Sequence, residues 1–269
     1  MIDRHYAPSD LLPLIDWPHF FFAWGFKGKH QHSEEAEKLM AEALVALAEM
    51  QDGGTTIKSR VRILNAGCEG DDILIFDNNE TYRLPCLRQQ VRDKGSEVYR
   101  CLADYLAPVG RNHPVGNRLG LFATAVHSPV LDKAETDFQR MLYQTLADRL
   151  AEAAAERVHH EALHHEWGKP LSEPLYGIRP AVGYPSLPDL SANFLLDKIL
   201  HFESLGIRLT ENGMMIPHAA ISGLIFAHHK ALYFNLGAIS EEQFLDYARR
   251  KNVTPQWLQK FIPNIVKTK

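Results

Sequence analysis

The chain has 269 residues, 45% of them hydrophobic and 23% charged, which is ordinary globular composition and enough length to bury a sizeable core. A formal net charge of -4, from 29 basic and 33 acidic residues, argues against non-specific binding to nucleic acid or to an anionic membrane surface. The three cysteines, Cys68, Cys86 and Cys101, include no close C-x-x-C pair, so neither a disulfide framework nor a zinc knuckle is expected, and buried reduced thiols are. No secretory signal opens the sequence and no apolar run approaches the roughly 20 residues that span a bilayer, so the expected compartment is the cytoplasm.

In chain order, an amphipathic helix is expected from Glu34 to Met50, with Ser33 as N-cap and Gly53-Gly54 ending it. Ile57 to Leu64 alternates as a strand. Asp72 to Phe76 and Thr81 to Leu84 flank Asn78-Asn79 as a hairpin, and Leu119 to Val126 reads as a further strand. The longest helix runs from Lys133 to Trp167 through a stretch of strong helix formers, until Gly168, Pro170 and Pro174 break it. Leu190 to Leu205 reads as a helix stopped by Gly206. Ala219 to Ala227 and Ala231 to Ala238 read as strands joined by a tight turn at His228-His229-Lys230. Ser240 caps a helix with Glu241 and Glu242 in its first turn, and Thr254 with Pro255 starts the last one. Strands fall in antiparallel-looking pairs, helices fall in blocks, and no G-x-G-x-x-G is present. The expected class is therefore α+β, a twisted, mainly antiparallel sheet with flanking helices, in a single unit over 1–269.

The most unusual segment is Arg179-Pro180-Ala181-Val182-Gly183-Tyr184-Pro185. Two prolines and a glycine stiffen the backbone, so the segment can aim main-chain groups and a guanidinium at a ligand carboxylate. The plainer reading is a rigid turn with a surface arginine and a packed tyrosine. A second cluster, His159-His160 and His164-His165, sets His160 and His164 one helical turn apart, a spacing that can chelate a divalent metal with Glu156 and Glu161 alongside. Its plainer reading is a polar helix end whose histidines suit the C-terminal dipole.

Arg-Pro-Ala-x-Gly-Tyr-Pro with Pro188 following resembles the S-adenosylmethionine motif of the reactivation domain of cobalamin-dependent methionine synthase. Other motifs of that family follow in order: Leu209-Thr210-Glu211, Met215-x-Pro217, Ile221-Ser222-Gly223, Tyr233-Phe234 and Asp246 to Lys251. Upstream, Ile15-Asp16-Trp17 with Phe20-Phe21 and Trp24, then Arg88 to Gln90, Cys101 to Pro108 and Leu146 to Glu152, are similar to its earlier segments. The resemblance spans more than two hundred residues and implies that S-adenosylmethionine is bound for the reductive methylation of cob(II)alamin. Carried over by position, it implies that Arg179 grips the methionyl carboxylate and that Asp16 accepts from the ammonium group. Ala181 would give main-chain bonds, Gly183 would allow close approach, and Tyr184 would wall the sulfonium or ribose. Glu152 and Glu173 would meet the polar adenosyl end, with Tyr233 as a further contact.

The same resemblance implies cobalamin supplied by a partner, either a methionine synthase lacking this domain or another corrinoid protein, and a flavodoxin-like electron donor. The expectation is of a free-standing accessory component, not a complete enzyme by itself, with no catalytic acid or base and no metal of its own. The family's His-Thr-x-Lys after the acidic residue is replaced by Leu190-Ser191-Ala192-Asn193, which touches the cobalamin-facing side or the ligand rim, and Leu224-Ile225 replaces an aromatic pair. Two alternatives remain open. One is an S-adenosylmethionine-sensing or corrinoid-chaperone module; the other is a metal-binding protein working through the His159 to His165 helix.

Overall fold

A computed structural model describes residues 1–92, 94–95, 97–110, 117–168 and 176–262. Its centre is β2 (Thr56–Glu69), a strand long enough to serve two neighbours along one edge. The first half of that edge pairs with β1 (Ile2–Tyr6) and the second half with β3 (Asp72–Asp77). The opposite edge pairs with β5 (Asn117–His127), which pairs in turn with β8 (Ala220–Ile225), while β4 (Glu80–Pro85) closes the far side next to β3. Every ladder in this six-stranded sheet is antiparallel, as expected from the sequence.

Both faces of the sheet are covered. The period of two along β5 sends Leu119, Leu121, Ala123 and Ala125 to one core and Phe122 and Val126 to the other side, which explains an unbroken buried run from Leu119 to Val126. On the second face lies α4 (Asp137–Trp167), across β2, β5 and β8. Thr136 caps it by accepting from the Gln139 amide at 3.1 Å. Ala147, Ala151, Ala154 and Ala155 keep the helix close to the strands, close enough for the buried Thr124 hydroxyl on β5 to donate to the Ala151 carbonyl at 3.2 Å. Two short helices, α1 (Pro8–Leu11) and α2 (Trp17–Ala23), and α3 (Glu34–Asp52) extend this layer, with Ser33 capping α3 as expected. The first face carries α5 (Ala192–Leu200), followed by a small hairpin of β6 (Arg208–Leu209) and β7 (Met215–Ile216). The chain closes with α6 (Glu241–Lys251) and α7 (Pro255–Leu258).

Two sequence expectations need correction, and one strand carries no sequence signal. Ala231 to Ala238 is not a strand: β8 has β5 on one edge and residues 178–182 on the other, so no edge of β8 is left for it. The segment is held instead by Tyr105, whose hydroxyl donates to the Leu232 carbonyl at 3.0 Å, and by the Leu236 amide donating to the Pro185 carbonyl at 3.1 Å. The Leu190 to Leu205 helix is shorter, because His201 turns left-handed at φ 55° and the Asp197 side chain takes the Phe202 amide at 2.9 Å; a 3-10 turn follows. The strand β1 went unread, since Ile-Asp-Arg-His-Tyr has too few apolar positions to signal one. Its place is secured by Arg60, 7% exposed, which holds Asp3 through two 2.7 Å bonds and donates to the Leu200 carbonyl across the sheet.

The thiols are free, with Cys86 and Cys101 buried. The adjoining Cys101 thiol and burial push the Cys86 thiol well up, so both act as small core residues. Among the described residues no helix is long and apolar enough to cross a membrane.

A candidate ligand cavity beside the outer edge of β8

Residues Ile178 to Val182 run antiparallel along the free edge of β8 as an irregular extra strand. Ile178 exchanges both backbone bonds with Phe226, the Leu224 amide donates to Pro180, and the Val182 amide donates to Ser222 at 2.9 Å. The alternation of that pattern leaves the amides of Arg179 and Ala181 turned away from the sheet. Close approach is possible because Gly223 on β8 has no side chain: a Cβ there would lie 2.3 Å from the Pro180 carbonyl oxygen. Beyond Val182 the chain turns tightly at Gly183, φ 89°, whose amide donates to the Leu187 carbonyl at 2.8 Å.

This edge, the middle of α4 and the crossing segment 233–235 enclose a cavity of about 430 Å3. Arg179, Glu152, Ala181, Tyr184 and Tyr233 all line it, so five of the eight residues singled out in the sequence converge on one space. The Arg179 guanidinium is 13% exposed and stands 3.9 Å from the Glu152 carboxylate. The Tyr184 hydroxyl donates to the other Glu152 oxygen at 2.5 Å, and the Arg179 amide donates to the Tyr233 hydroxyl at 2.8 Å. Partial burial, and then the Glu152 carboxylate, hold the Tyr184 phenol above its usual value, so the ring remains a proton donor. Both tyrosine rings are about half exposed or more and form the mouth.

Of the other three, Asp16 and Gly183 do not line the cavity. Asp16 caps α2, accepting from the His19 amide at 3.0 Å and facing the His19 ring at 2.6 Å. Burial opposes its ionisation, yet the two His19 bonds outweigh burial and keep the carboxyl below the usual range. Gly183 shapes the turn without lining the space. Glu173 lies outside the described residues. Pattern reading missed Ser186, Phe234 and Asn235, which complete the wall. None carries a charge; Phe234 stands in the Tyr233-Phe234 motif without having been read as a contact, and the crossing of segment 233–235 brings it and Asn235 in.

The replaced segment Leu190 to Asn193 faces inward. The Asn193 amide group donates to the Gly213 carbonyl at 2.8 Å while its oxygen accepts from Ser222 on β8. Asp189, 1% exposed, accepts from the Tyr247 hydroxyl at 2.8 Å and faces Lys251 at 2.7 Å, tying α6 to this turn. This stretch therefore braces the strand next to the cavity rather than lining it.

The histidine helix does not assemble a metal site: among the described residues no three His, Cys, Asp or Glu side chains converge. His159 is wholly buried two turns from Glu152. Burial, then the Arg179 charge and His160, push its pKa down to about 3. The unfolded chain, with an ordinary histidine near 6.5, then binds the extra proton between these values, so stability is intact above pH 6.5 and falls as pH drops below it. In urea unfolding, the wild type should lose about 2 kcal/mol more than His159→Leu between pH 7 and pH 5. Parallel profiles would show that His159 is not held neutral.

The family described as "Vitamin B12 dependent methionine synthase, activation domain" matches residues 8–252. Among solved structures, the chain is similar to the MetH reactivation domain bound to AdoHcy. The identity is 29%, the match covers 100% of this chain and 90% of that one, and the TM-score is 0.88. On the breadth of the sequence match and the shared fold, the chain belongs to the activation-domain family of vitamin B12-dependent methionine synthase.

Proposed function

We propose that the chain, acting as one unit, binds S-adenosylmethionine in the cavity beside β8 and presents it to a corrinoid held by a partner. The observation that carries this reading is the pairing of Arg179 with Glu152 in a cavity of about 430 Å3. The ligand has a carboxylate and two positive centres, and the cavity offers one guanidinium beside one carboxylate. Its volume falls in the range of ordinary small-molecule sites. Arg179 takes the carboxylate, the outward Ala181 amide adds a main-chain bond, Glu152 lends negative charge, and the Tyr184 and Tyr233 rings cover the apolar part. Gly183 sets the turn that presents Tyr184. Asp16 and Glu173 are proposed as further polar contacts on the strength of the family positions alone. AdoHcy, the ligand of the related MetH domain, is the product such a transfer would leave.

A corrinoid held by a methionine synthase or another corrinoid protein would supply the methyl acceptor, with one electron from a flavodoxin-like donor, and S-adenosylhomocysteine would be left in the cavity. The chain's own residues bind and orient the ligand and keep water from the sulfonium. No proton transfer from the protein is needed. Calorimetric titration with S-adenosylmethionine and S-adenosylhomocysteine should give saturable one-to-one binding of both. No heat with either would overturn the proposal.

A further inference from the structure

A second cleft lies on the α5 side of the sheet, between β4, α5 and the α6–α7 turn, with a volume of about 660 Å3. Four cations line it: Arg83, Lys198, Arg250 and Lys251. Three are paired with carboxylates. Arg83 pairs with Glu69 and Asp72, Arg250 with Asp72 and Asp246, and Lys251 with Asp189. None of those carboxylates is among the described residues that line the cleft, so the charged groups turned to it are cations. Lys198 is exposed at the rim and has no ion-pair partner among the described residues. Ser191, 5% exposed, also lines the cleft, and its hydroxyl makes no hydrogen bond among the described residues. A buried hydroxyl left unpaired is unfavourable, and it points to a missing partner.

The rest of the lining is apolar and aromatic. Phe194 and Trp257 line the cleft and both pack on Phe261, with ring centroids 5.7 and 4.2 Å away, the first edge-on and the second tilted, so the wall is an aromatic cluster. Cations beside an aromatic wall suit a phosphate attached to a flat ring system. The concavity suits a small molecule.

We propose that this cleft binds a nucleotide, with the phosphates against Lys198, Arg83 and the Ser191 hydroxyl and the base against Trp257 and Phe194. The site is separate from the cavity beside β8: the two share no lining residue.

Titration of the full chain with ADP, with adenosine and with inorganic phosphate tests the assignment. ADP should saturate one site, with adenosine and phosphate each at least about tenfold weaker. Lys198→Ala, a change at an exposed position, should weaken ADP about tenfold, the usual size for one charge-assisted contact, and leave S-adenosylmethionine binding unchanged. Ser191→Ala should weaken ADP without lowering thermal stability, since it removes an unpaired hydroxyl. Four results would overturn the proposal: no saturation by ADP, equal ADP affinity in the wild type and in both Lys198→Ala and Lys198→Glu, adenosine or phosphate binding as tightly as ADP, or displacement of ADP by S-adenosylmethionine, which would put the nucleotide in the first cavity.

Discussion

Arg179→Ala should weaken S-adenosylmethionine and S-adenosylhomocysteine alike by about thirtyfold or more, the equivalent of about 2–4 kcal/mol. Both ligands carry the carboxylate, so a carboxylate grip predicts the same loss for each. A contact to the sulfonium would separate them, because only S-adenosylmethionine carries that positive centre. The loss should be large because the guanidinium is 13% exposed: water cannot freely replace it, and the ligand carboxylate would be left unpaired in a closed space. Two further effects travel with the substitution. Glu152 loses its 3.9 Å cation, and His159 loses a positive neighbour, so its pKa should rise from about 3. Arg179→Lys keeps the charge but not the planar fork and should recover only part of the affinity. Calorimetry on the three proteins, with circular dichroism to confirm the fold, decides the matter. Unchanged affinity in Arg179→Ala would remove Arg179 from the site.

Much of this cavity was legible from sequence because stiffness and charge sit together in Arg179 to Pro185. Two prolines and a positive-φ glycine announce an irregular backbone, and the structure uses them for an edge segment followed by a tight turn. What the sequence could not announce is which edge the segment occupies. That choice follows from Gly223, some forty residues later, and it denies the edge to Ala231 to Ala238, which reads as a strand in the sequence. The lesson is one of competition: two extended segments suited one edge, and the one that could approach a glycine took it. Phe234 and Asn235 reach the cavity wall only as a result.

Asp16 shows the opposite limit. An aspartate before Trp-Pro carries the same letters whether it caps a helix or meets a ligand, and in the structure its oxygens hold His19. The Leu190 to Asn193 replacement is similar. Read as a string it is a lost motif; in the fold it is an inward brace, with Asn193 linking Gly213 and β8. Departures in this stretch therefore bear on how firmly β8 is held before they bear on what the cavity recognises.

Gly223→Ala tests whether that edge contact builds the site. The added Cβ would lie 2.3 Å from the Pro180 oxygen, 2.8 Å from the Ala181 Cα and 2.8 Å from the Phe122 ring. Two of these are backbone atoms that no side-chain rotation can clear, and the third belongs to a fully buried ring. The strand or the edge segment must move, at about 3 kcal/mol, the upper end of the usual penalty for overpacking. At about 2–3 °C per kcal/mol for a chain of this size, the melting temperature should fall by roughly 6–9 °C. The movable partner is the edge segment, because β8 is fixed on its other side by six residue pairs with β5. Arg179 and Ala181 would shift with it, so ligand affinity should fall together with stability. Gly110→Ala is the control: a Cβ there meets nothing within 4 Å, and stability should change by no more than about 0.5 kcal/mol. If Gly223→Ala lowered the melting temperature while S-adenosylmethionine bound as before, the Arg179 grip would be independent of its seat on β8. If neither changed, the close approach of the edge segment would itself be wrong.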